Sequence, residues 1–226
     1  MKRRLISFAA VALLTVTACN GGASPTPTAT VLQTPVAETV TTSVVDTAGS
    51  GEFFAKIPAG WIMITARDIA DEASFGAWRA AHPEVSQDEA KAVSEPMTTK
   101  AVSLFAFDAQ NTVGGFTPNL NVTWVDAPVR DFEPWLAERA ATTTKDYGLA
   151  SPLEYQAWTS AGEGTVGGFI GTFRLSMSGI ALAGSQLIVP MPGGRAAVLT
   201  FTCRDEQADH FGPIVEALFS SLSAHS

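Results

Sequence analysis

The chain has 226 residues, with 14 Lys and Arg against 22 Asp and Glu, which gives a formal net charge of −8 at pH 7. Neutralising phosphates requires clustered Lys and Arg, so this balance excludes nucleic-acid binding as the main function. It also excludes a basic surface for anionic lipid headgroups. The length predicts one or two domains, and two cysteines cannot build a disulfide framework.

The first nineteen residues have the pattern of a lipoprotein signal. Residues 2–4 are basic, and the apolar stretch 5–16 has the length of a signal-peptide core, too short to span a bilayer. The stretch ends in Val16, Thr17, Ala18 and Cys19. This tetrad resembles the bacterial lipobox, in which an aliphatic residue and a small residue precede a lipidated Cys. An ordinary secretory signal with an incidental Cys is the alternative.

The pattern predicts that residues 1–18 are a signal peptide and that Cys19 becomes the acylated first residue of the mature protein. Its sulfur would carry a diacylglycerol, with acyl chains such as palmitate, and so anchor the protein to the outer face of the bacterial cell membrane. Loss of the three basic residues at positions 2–4 would take the net charge from −8 to −11.

Residues 19–50 are predicted to be the lipidated Cys and a disordered stalk. Residues 20–50 contain no Lys or Arg, and Thr, Ser, Pro, Gly, Ala and Val dominate. Three prolines interrupt any helix, and the large apolar side chains are too few to offset the entropy of ordering. The many Thr residues fit either a plain spacer or an O-glycosylated stalk.

The first half of the domain, predicted over residues 51–226, alternates strands and helices. The pattern predicts extended structure for residues 52–58 and 61–64 and a polar helix for residues 67–82. This helix is expected to end at His82-Pro83, because the residue before a proline avoids the helical conformation. A capping-box pattern at residues 86–89 predicts a second short helix. Residues 100–108 form a strand that is apolar on both faces, so both faces are expected to be covered.

The second half contains one helix, an antiparallel meander and a final helix. Residues 119–125 alternate as a half-buried strand. A helix capped by Asp131 follows to about Tyr147, with Gly148 as its stop. The remaining predicted elements are extended segments 153–158, 165–177, 180–191 and 195–203, then a helix from residue 205 that Gly212-Pro213 divides. The sequence therefore predicts an α+β domain, a mostly antiparallel sheet with helices on one or both faces.

This order of elements resembles a known family. The resemblance rests on Ile57-Pro58-Ala59-Gly60-Trp61, on Asn119-Leu120-Asn121-Val122 and on the segment 193–202, GGRAAVLTFT. It points to the PsbP/Mog-like α/β/α sandwich and to LpqN-type envelope lipoproteins, over roughly residues 51–223. What the resemblance implies is a binding or assembly module without catalysis, and it provides no catalytic residues to transfer.

Chemistry-bearing motifs are sparse in this sequence. The three His residues (His82, His210 and His225) lack metal-ligand spacing, so neither a metal nor a cofactor is expected. The G-x-G-x-x-G match at 162–167 precedes a strand rather than a helix, which indicates a Gly-rich hairpin. Cys203 is expected to be a buried, inert thiol.

Two aromatic residues are the candidate partner-binding positions, because they lie on otherwise polar surfaces: Trp78 in the helix and Trp158 in a strand. Burial against neighbouring segments is the alternative for both.

Three functions remain open. The first is an anchored lipoprotein that binds an envelope transport protein or an acylated glycolipid. The others are an esterase or acyltransferase acting on envelope lipids, and a structural surface protein without a dedicated ligand. Convergence of Cys203 and His210 in an open pocket would favour the enzyme, an apolar cavity would favour a lipid ligand, and a flat aromatic patch would favour a protein partner.

Overall fold

A computed structural model describes residues 39–45, 52–87, 90–91, 94–95, 97, 102–161 and 165–223. The strands in these residues are β1 Thr39–Val45, β2 Glu52–Pro58, β3 Ile62–Thr65, β4 Val102–Phe107, β5 Asn119–Asp126, β6 Gln156–Thr159, β7 Gly167–Met177, β8 Ile180–Met191 and β9 Arg195–Arg204. The helices with defined bounds are α1 Glu72–Ala81, α2 Phe132–Asp146 and α3 Ala208–Ser220. Positions described between 87 and 97 are also helical.

Seven strands form one antiparallel sheet in the order β3-β4-β5-β9-β8-β7-β6, and β1 pairs with β2 in a separate two-stranded sheet. The predicted α+β class, a mostly antiparallel sheet with helices on its faces, is confirmed. The long meander β7-β8-β9 has the predicted order, and Gly167 opens a strand rather than a helix, as the hairpin interpretation of the Gly-rich segment requires.

The face of the large sheet that packs against α3 and β2 is called the α3 face. Helix α3 presents an apolar stripe to it, made of Phe211, Val215, Leu218 and Phe219. Strand β2 adds Phe53, Ala55 and Ile57, each no more than 1% exposed. Backbone hydrogen bonds between Phe54 and Ser223, of 2.9 and 3.1 Å, hold β2 beside the chain that leaves α3.

The opposite side is called the α2 face, and two helical layers cover it. Helix α1 and the helical positions up to Met97 lie over β3 and β4, where Trp78 packs among Ile62, Ile64, Phe105 and Phe107. Helix α2 lies over β8 and β9, where Leu136 packs against Ile188 and Val198. Both faces of β4 are therefore buried, as its two apolar faces predicted.

The domain begins earlier than predicted, because Thr39–Val45 is a strand rather than part of a stalk. Its seven residues pair with β2 from Thr39 opposite Pro58 to Val45 opposite Glu52. The segment TVTTSVV contains only Thr, Ser and Val, and β-branched residues favour extended structure once a partner strand is present. The remaining predicted stalk and the signal peptide lie outside the described residues.

Three local predictions differ from the structure. Asn119 and Asn121 of β5 are only 4% and 8% exposed, because helices cover the polar face that was predicted to meet solvent. Asp131 precedes α2 in the left-handed region, at φ 59°, and its side chain makes no capping hydrogen bond. Helix α3 continues through Pro213 rather than being divided there, although Pro213 has no N–H to donate to the carbonyl of Asp209.

Two predicted helix ends are confirmed. Helix α1 stops at His82, and the chain leaves α2 through Gly148, at φ 60°. Strands β7 and β8 are joined by Ser178 and Gly179, both with positive φ, as two-residue hairpins require. Among the described residues, no helix has both the length and the apolar character needed to cross a membrane.

Candidate functional site

A cavity of about 500 Å³ lies between α3 and the α3 face of strands β7, β8 and β9. This volume falls within the range typical of small-molecule sites, about 300–1,000 Å³. The walls come from the sheet, from α3 and from the loop before β6. The lining residues are Ala150, Ser151, Pro152, Thr172, Phe173, Arg174, Ala183, Gly184, Ser185, Phe201, Cys203, Ala208, Phe211, Gly212 and Val215.

Small residues create this space. Strand β8 contributes Ala183, Gly184 and Ser185 in succession, and α3 contributes Ala208 and Gly212 one turn apart. Larger side chains at Ala183, at Ser185 or at the two helix positions would close the gap that the helix and the sheet leave between them. A side chain at Gly184 would instead meet the ring of Phe173. The cavity is therefore encoded by short side chains on two elements that are distant in sequence.

The inner wall is apolar and rigid. Phe201, Cys203, Phe211 and Val215 are each no more than 5% exposed. The rings of Phe201 and Phe211 pack 5.4 Å apart, and Trp61 packs against both, at 6.1 Å from Phe201 and 6.4 Å from Phe211. Aromatic groups packed in this way hold the wall in place, so the cavity is preformed.

The rim of the cavity is polar. Arg174 of β7 donates from Nε to Oδ1 of Asp205 at 2.6 Å, and both side chains reach solvent. The hydrogen bond and the charge of Asp205 raise the pKa of Arg174, and the charge of Asp209 adds to this effect. Because the cation is balanced by these carboxylates, the rim suits a neutral hydroxylated group better than a free anion.

Cys203 lines the cavity but does not have the properties of a nucleophile. Its side chain is 2% exposed, and burial together with the charge of Asp205 raises the pKa of the thiol to about 12. His210 packs edge-on against Phe211 at 4.8 Å and is not among the lining residues. In the described part of the chain, no hydrogen bond joins Cys203 to His210, so the convergence that the enzyme hypothesis requires is not observed.

No group of three or more His, Cys, Asp and Glu residues that could hold a metal ion occurs among the described positions. The nearby carboxylate of His82 is that of Glu84, with Nδ1 3.1 Å from Oε1, and its ring packs against that of Trp78 at 4.9 Å. His225 lies outside the residues that the structure describes.

The candidate aromatic Trp78 is in the core rather than on the surface. It is 7% exposed, its Nε1 donates to the Met63 carbonyl at 2.6 Å, and its ring stacks on Phe75 at 6.1 Å. The structure therefore matches the alternative of burial against neighbouring segments, and Trp78 is not accessible to a partner in this state.

Trp158 is half-buried on the edge strand β6. It packs against the core cluster of the α3 face, which includes Val166, Leu187 and Val189. Its partner-binding role stays a prediction. Val16, Thr17, Ala18 and Cys19, the predicted processing and lipidation site, lie outside the described residues.

Most residues that line the cavity were not predicted from the sequence. One signal was present: Ala181, Ala183 and Ser185 alternate on one side of a strand, and Ala208 and Gly212 are four apart on a helix. Each pattern alone indicates close packing as readily as empty space. Close packing and empty space can be distinguished only in the folded protein, where β8 pairs with β7 and β9 and α3 packs above them.

No family model matches this chain, and no curated protein is similar to it in sequence. Solved structures are similar in fold. LpqN of Mycobacterium tuberculosis, which is described as involved in cell envelope biogenesis, has 12% identity and a TM-score of 0.49, over 84% of this chain and 92% of that one.

Cyanobacterial PsbP of Synechocystis sp. PCC 6803 has 12% identity and a TM-score of 0.45, over 84% of this chain and 95% of that one. The Ran-binding protein Mog1p of Saccharomyces cerevisiae has 7% identity and a TM-score of 0.45, over 83% and 96%. The PsbP/Mog-like and LpqN-type resemblance drawn from the sequence is thus found again among solved structures, as a likeness of fold that assigns no ligand to this chain.

Proposed function

We propose that this protein is a lipid-anchored binding module of the bacterial envelope, and that its cavity receives the apolar part of an envelope lipid or acylated glycolipid. Two observations support the proposal. The residues ending at Cys19 have the lipobox pattern, and the cavity beneath α3 combines an apolar inner wall with a polar rim. The cavity is the observation that carries the ligand class.

The shape of the cavity suits an amphiphile. An acyl chain against Phe201, Phe211 and Val215 would gain about 0.8 kcal/mol for each buried methylene. The Arg174–Asp205 pair at the rim, with the hydroxyls of Thr172 and Ser185, offers donors and acceptors to a hydroxylated headgroup. Binding energy would therefore come from the chain, and orientation from the rim.

The ligand test uses a substitution that fills the cavity. In Ala183→Leu the added side chain enters the cavity from β8, whereas Ala181→Leu adds the same atoms at an exposed position two residues away that does not line the cavity. Each purified chain is incubated with envelope lipid extract, and retained lipids are identified by mass spectrometry.

We expect the wild type and Ala181→Leu to retain the same lipid, and Ala183→Leu to retain at least tenfold less. If no chain retains lipid above a control protein, the proposed ligand is wrong. Retention of a membrane transport protein from detergent-solubilised envelopes, undiminished by Ala183→Leu, would favour the protein partner instead.

The anchor has its own test. Two or three acyl chains hold a protein firmly at a bilayer, so Cys19→Ser should move the protein from the membrane fraction to the soluble fraction. A Cys203→Ser chain is the matched control and should stay with the membrane. If Cys19→Ser remains membrane-bound until detergent is added, the anchoring proposal fails. The result of the Ala183→Leu lipid-binding test does not depend on this outcome.

The enzyme alternative lacks support from this geometry. A hydrolase or acyltransferase of envelope lipids requires a nucleophile and a base in contact. The neutral thiol of Cys203, with a pKa of about 12, and the position of His210 outside the cavity provide neither.

A further inference from the structure

A charged residue lies on the buried side of α2, across the sheet from the cavity. Leu136, Ala140 and Thr143 of this helix are buried against the α2 face. Arg139 follows Leu136 by three positions and precedes Thr143 by four, so helical geometry places it on the same stripe. The residue is half-buried.

Aromatic residues surround this guanidinium. Its Cζ lies 5.9 Å from the centre of the Trp135 ring. Tyr147 and Tyr155 are close enough for their phenols to interact electrostatically with Arg139. The hydroxyl of Tyr155 donates to Oε1 of Gln186, a residue only 2% exposed. The phenolic proton of Tyr155 is therefore not available to another acceptor.

No counter-ion to this guanidinium lies within the described part of the chain. Its Nε is fully buried and has no hydrogen-bond partner, and among the described residues no carboxylate pairs with Arg139. The phenols cannot neutralise it, because burial raises the pKa of Tyr147 and raises that of Tyr155 to about 12. Arginine stays protonated in proteins, so the charge persists.

A half-buried cation whose Nε has neither a hydrogen-bond partner nor a carboxylate is unfavourable, and such a group in a folded protein requires an explanation. We propose that Arg139 provides the positive charge of a binding site for an oxyanion, either a carboxylate or a phosphate group. This site lies between α2 and the Tyr147–Tyr155 segment. The planar guanidinium presents paired donors that match two terminal oxygens of such a group. With a net charge of −8, the affinity must come from these local contacts rather than from the field of the whole chain.

Arg139 lies on the α2 face and is not among the residues that line the cavity, although the segment that bounds its site also gives Ala150, Ser151 and Pro152 to the cavity wall. The oxyanion is either a small soluble ion or the headgroup of a lipid. Both sources offer the same chemistry to Arg139, and the experiment separates them.

The test is thermal unfolding of the full chain in a neutral detergent, with sodium phosphate or sodium acetate compared with sodium chloride at equal ionic strength. For one specific site, ten times the dissociation constant of ligand raises the unfolding temperature by about 3–6 °C. We expect such a rise with phosphate or acetate beyond that with chloride.

The variants are Arg139→Met and Arg139→Lys, with Arg79→Met as the control at an exposed position on α1. Arg139→Met should unfold at an equal or higher temperature in chloride, because the unpaired charge is gone, and should lose the oxyanion response. Arg139→Lys should keep a weaker response, and Arg79→Met the full one.

Two results would overturn the site: a wild type that responds to phosphate and acetate no more than to chloride, or an Arg139→Met chain that responds as the wild type does. Should both Arg139 variants fail to fold, the dependence of the wild-type response on phosphate concentration decides, because a specific site saturates whereas exclusion of phosphate from the protein surface does not. Hexyl phosphate distinguishes the sources, since tighter binding than inorganic phosphate indicates a lipid headgroup and equal binding indicates a soluble ion.

Discussion

The packing of Phe173 over Gly184 gives a sharp stability prediction. Gly184 is buried in β8 between β7 and β9, and Phe173 on the neighbouring strand is 8% exposed. A Cβ added at Gly184 would lie 2.3, 2.5 and 2.9 Å from three atoms of the Phe173 ring. The substitution Gly184→Ala therefore creates a clash with the ring of Phe173.

The size of the effect follows from the required displacement. The ring has to move by about 1.2 Å before the closest pair, at 2.3 Å, reaches ordinary carbon contact at about 3.5 Å. Its neighbours Tyr147, Leu153 and Leu182 belong to the same packed cluster and resist that movement. Overpacking of this kind costs about 1–3 kcal/mol, which lowers the unfolding temperature by roughly 2–12 °C.

The assay is urea unfolding of the purified chain, with Gly76→Ala as the control. Gly76 lies inside α1 with nothing within 4 Å of an added Cβ, so this change should stabilise the chain by about 0.5–1 kcal/mol. Phe173→Leu combined with Gly184→Ala should recover part of the lost stability. The reasoning is refuted if Gly184→Ala is as stable as the wild type with an unchanged denaturant dependence.

Two further predictions concern titrating groups. In a Cys19→Ser chain, Cys203 is the one remaining thiol, and its burial and raised pKa should make iodoacetamide labelling at pH 8 at least a hundredfold slower than in urea; labelling at the unfolded rate would contradict its placement. Burial raises the pKa of Tyr155 from 10.0 to about 12, so its contribution to stability is complete below pH 10 and is lost as the pH rises to 12. Urea unfolding between pH 9 and 12 should show Tyr155→Phe losing about 2–3 kcal/mol less than the wild type, whereas parallel pH profiles would disprove this.

The elements of this fold were predictable where burial follows from the local pattern. Strand β2 has the predicted bounds, and the two apolar faces of β4 correctly indicated cover on both sides. The alternation in β5 was misleading, because Asn121 carries a polar side chain into a region that distant helices cover. The polarity of a side chain predicts whether it favours solvent, but its actual exposure depends on which elements pack around it in the folded protein.

The candidate sites depend on contacts that no local pattern contains. The cavity needs Ala183 of β8 and Gly212 of α3 to face each other across a gap, and the pairing of three strands fixes that distance. Arg139 has the helical spacing of the buried residues Leu136 and Thr143 on α2, but its charge alone predicts a position in solvent. A charged residue at a core spacing is a usable signal once the helix is known.

The bridge between Phe54 and Ser223 has a practical consequence for any fluorescent or affinity fusion. A reporter joined behind Ser223 would emerge next to the two-stranded hairpin through which the N-terminal segment enters the domain. In an anchored protein, such a reporter would compete for space with the bilayer. The exposed turn at Ser178 and Gly179, at the tip of a different hairpin, is the better insertion point, because its two residues pack against nothing that an inserted sequence would displace.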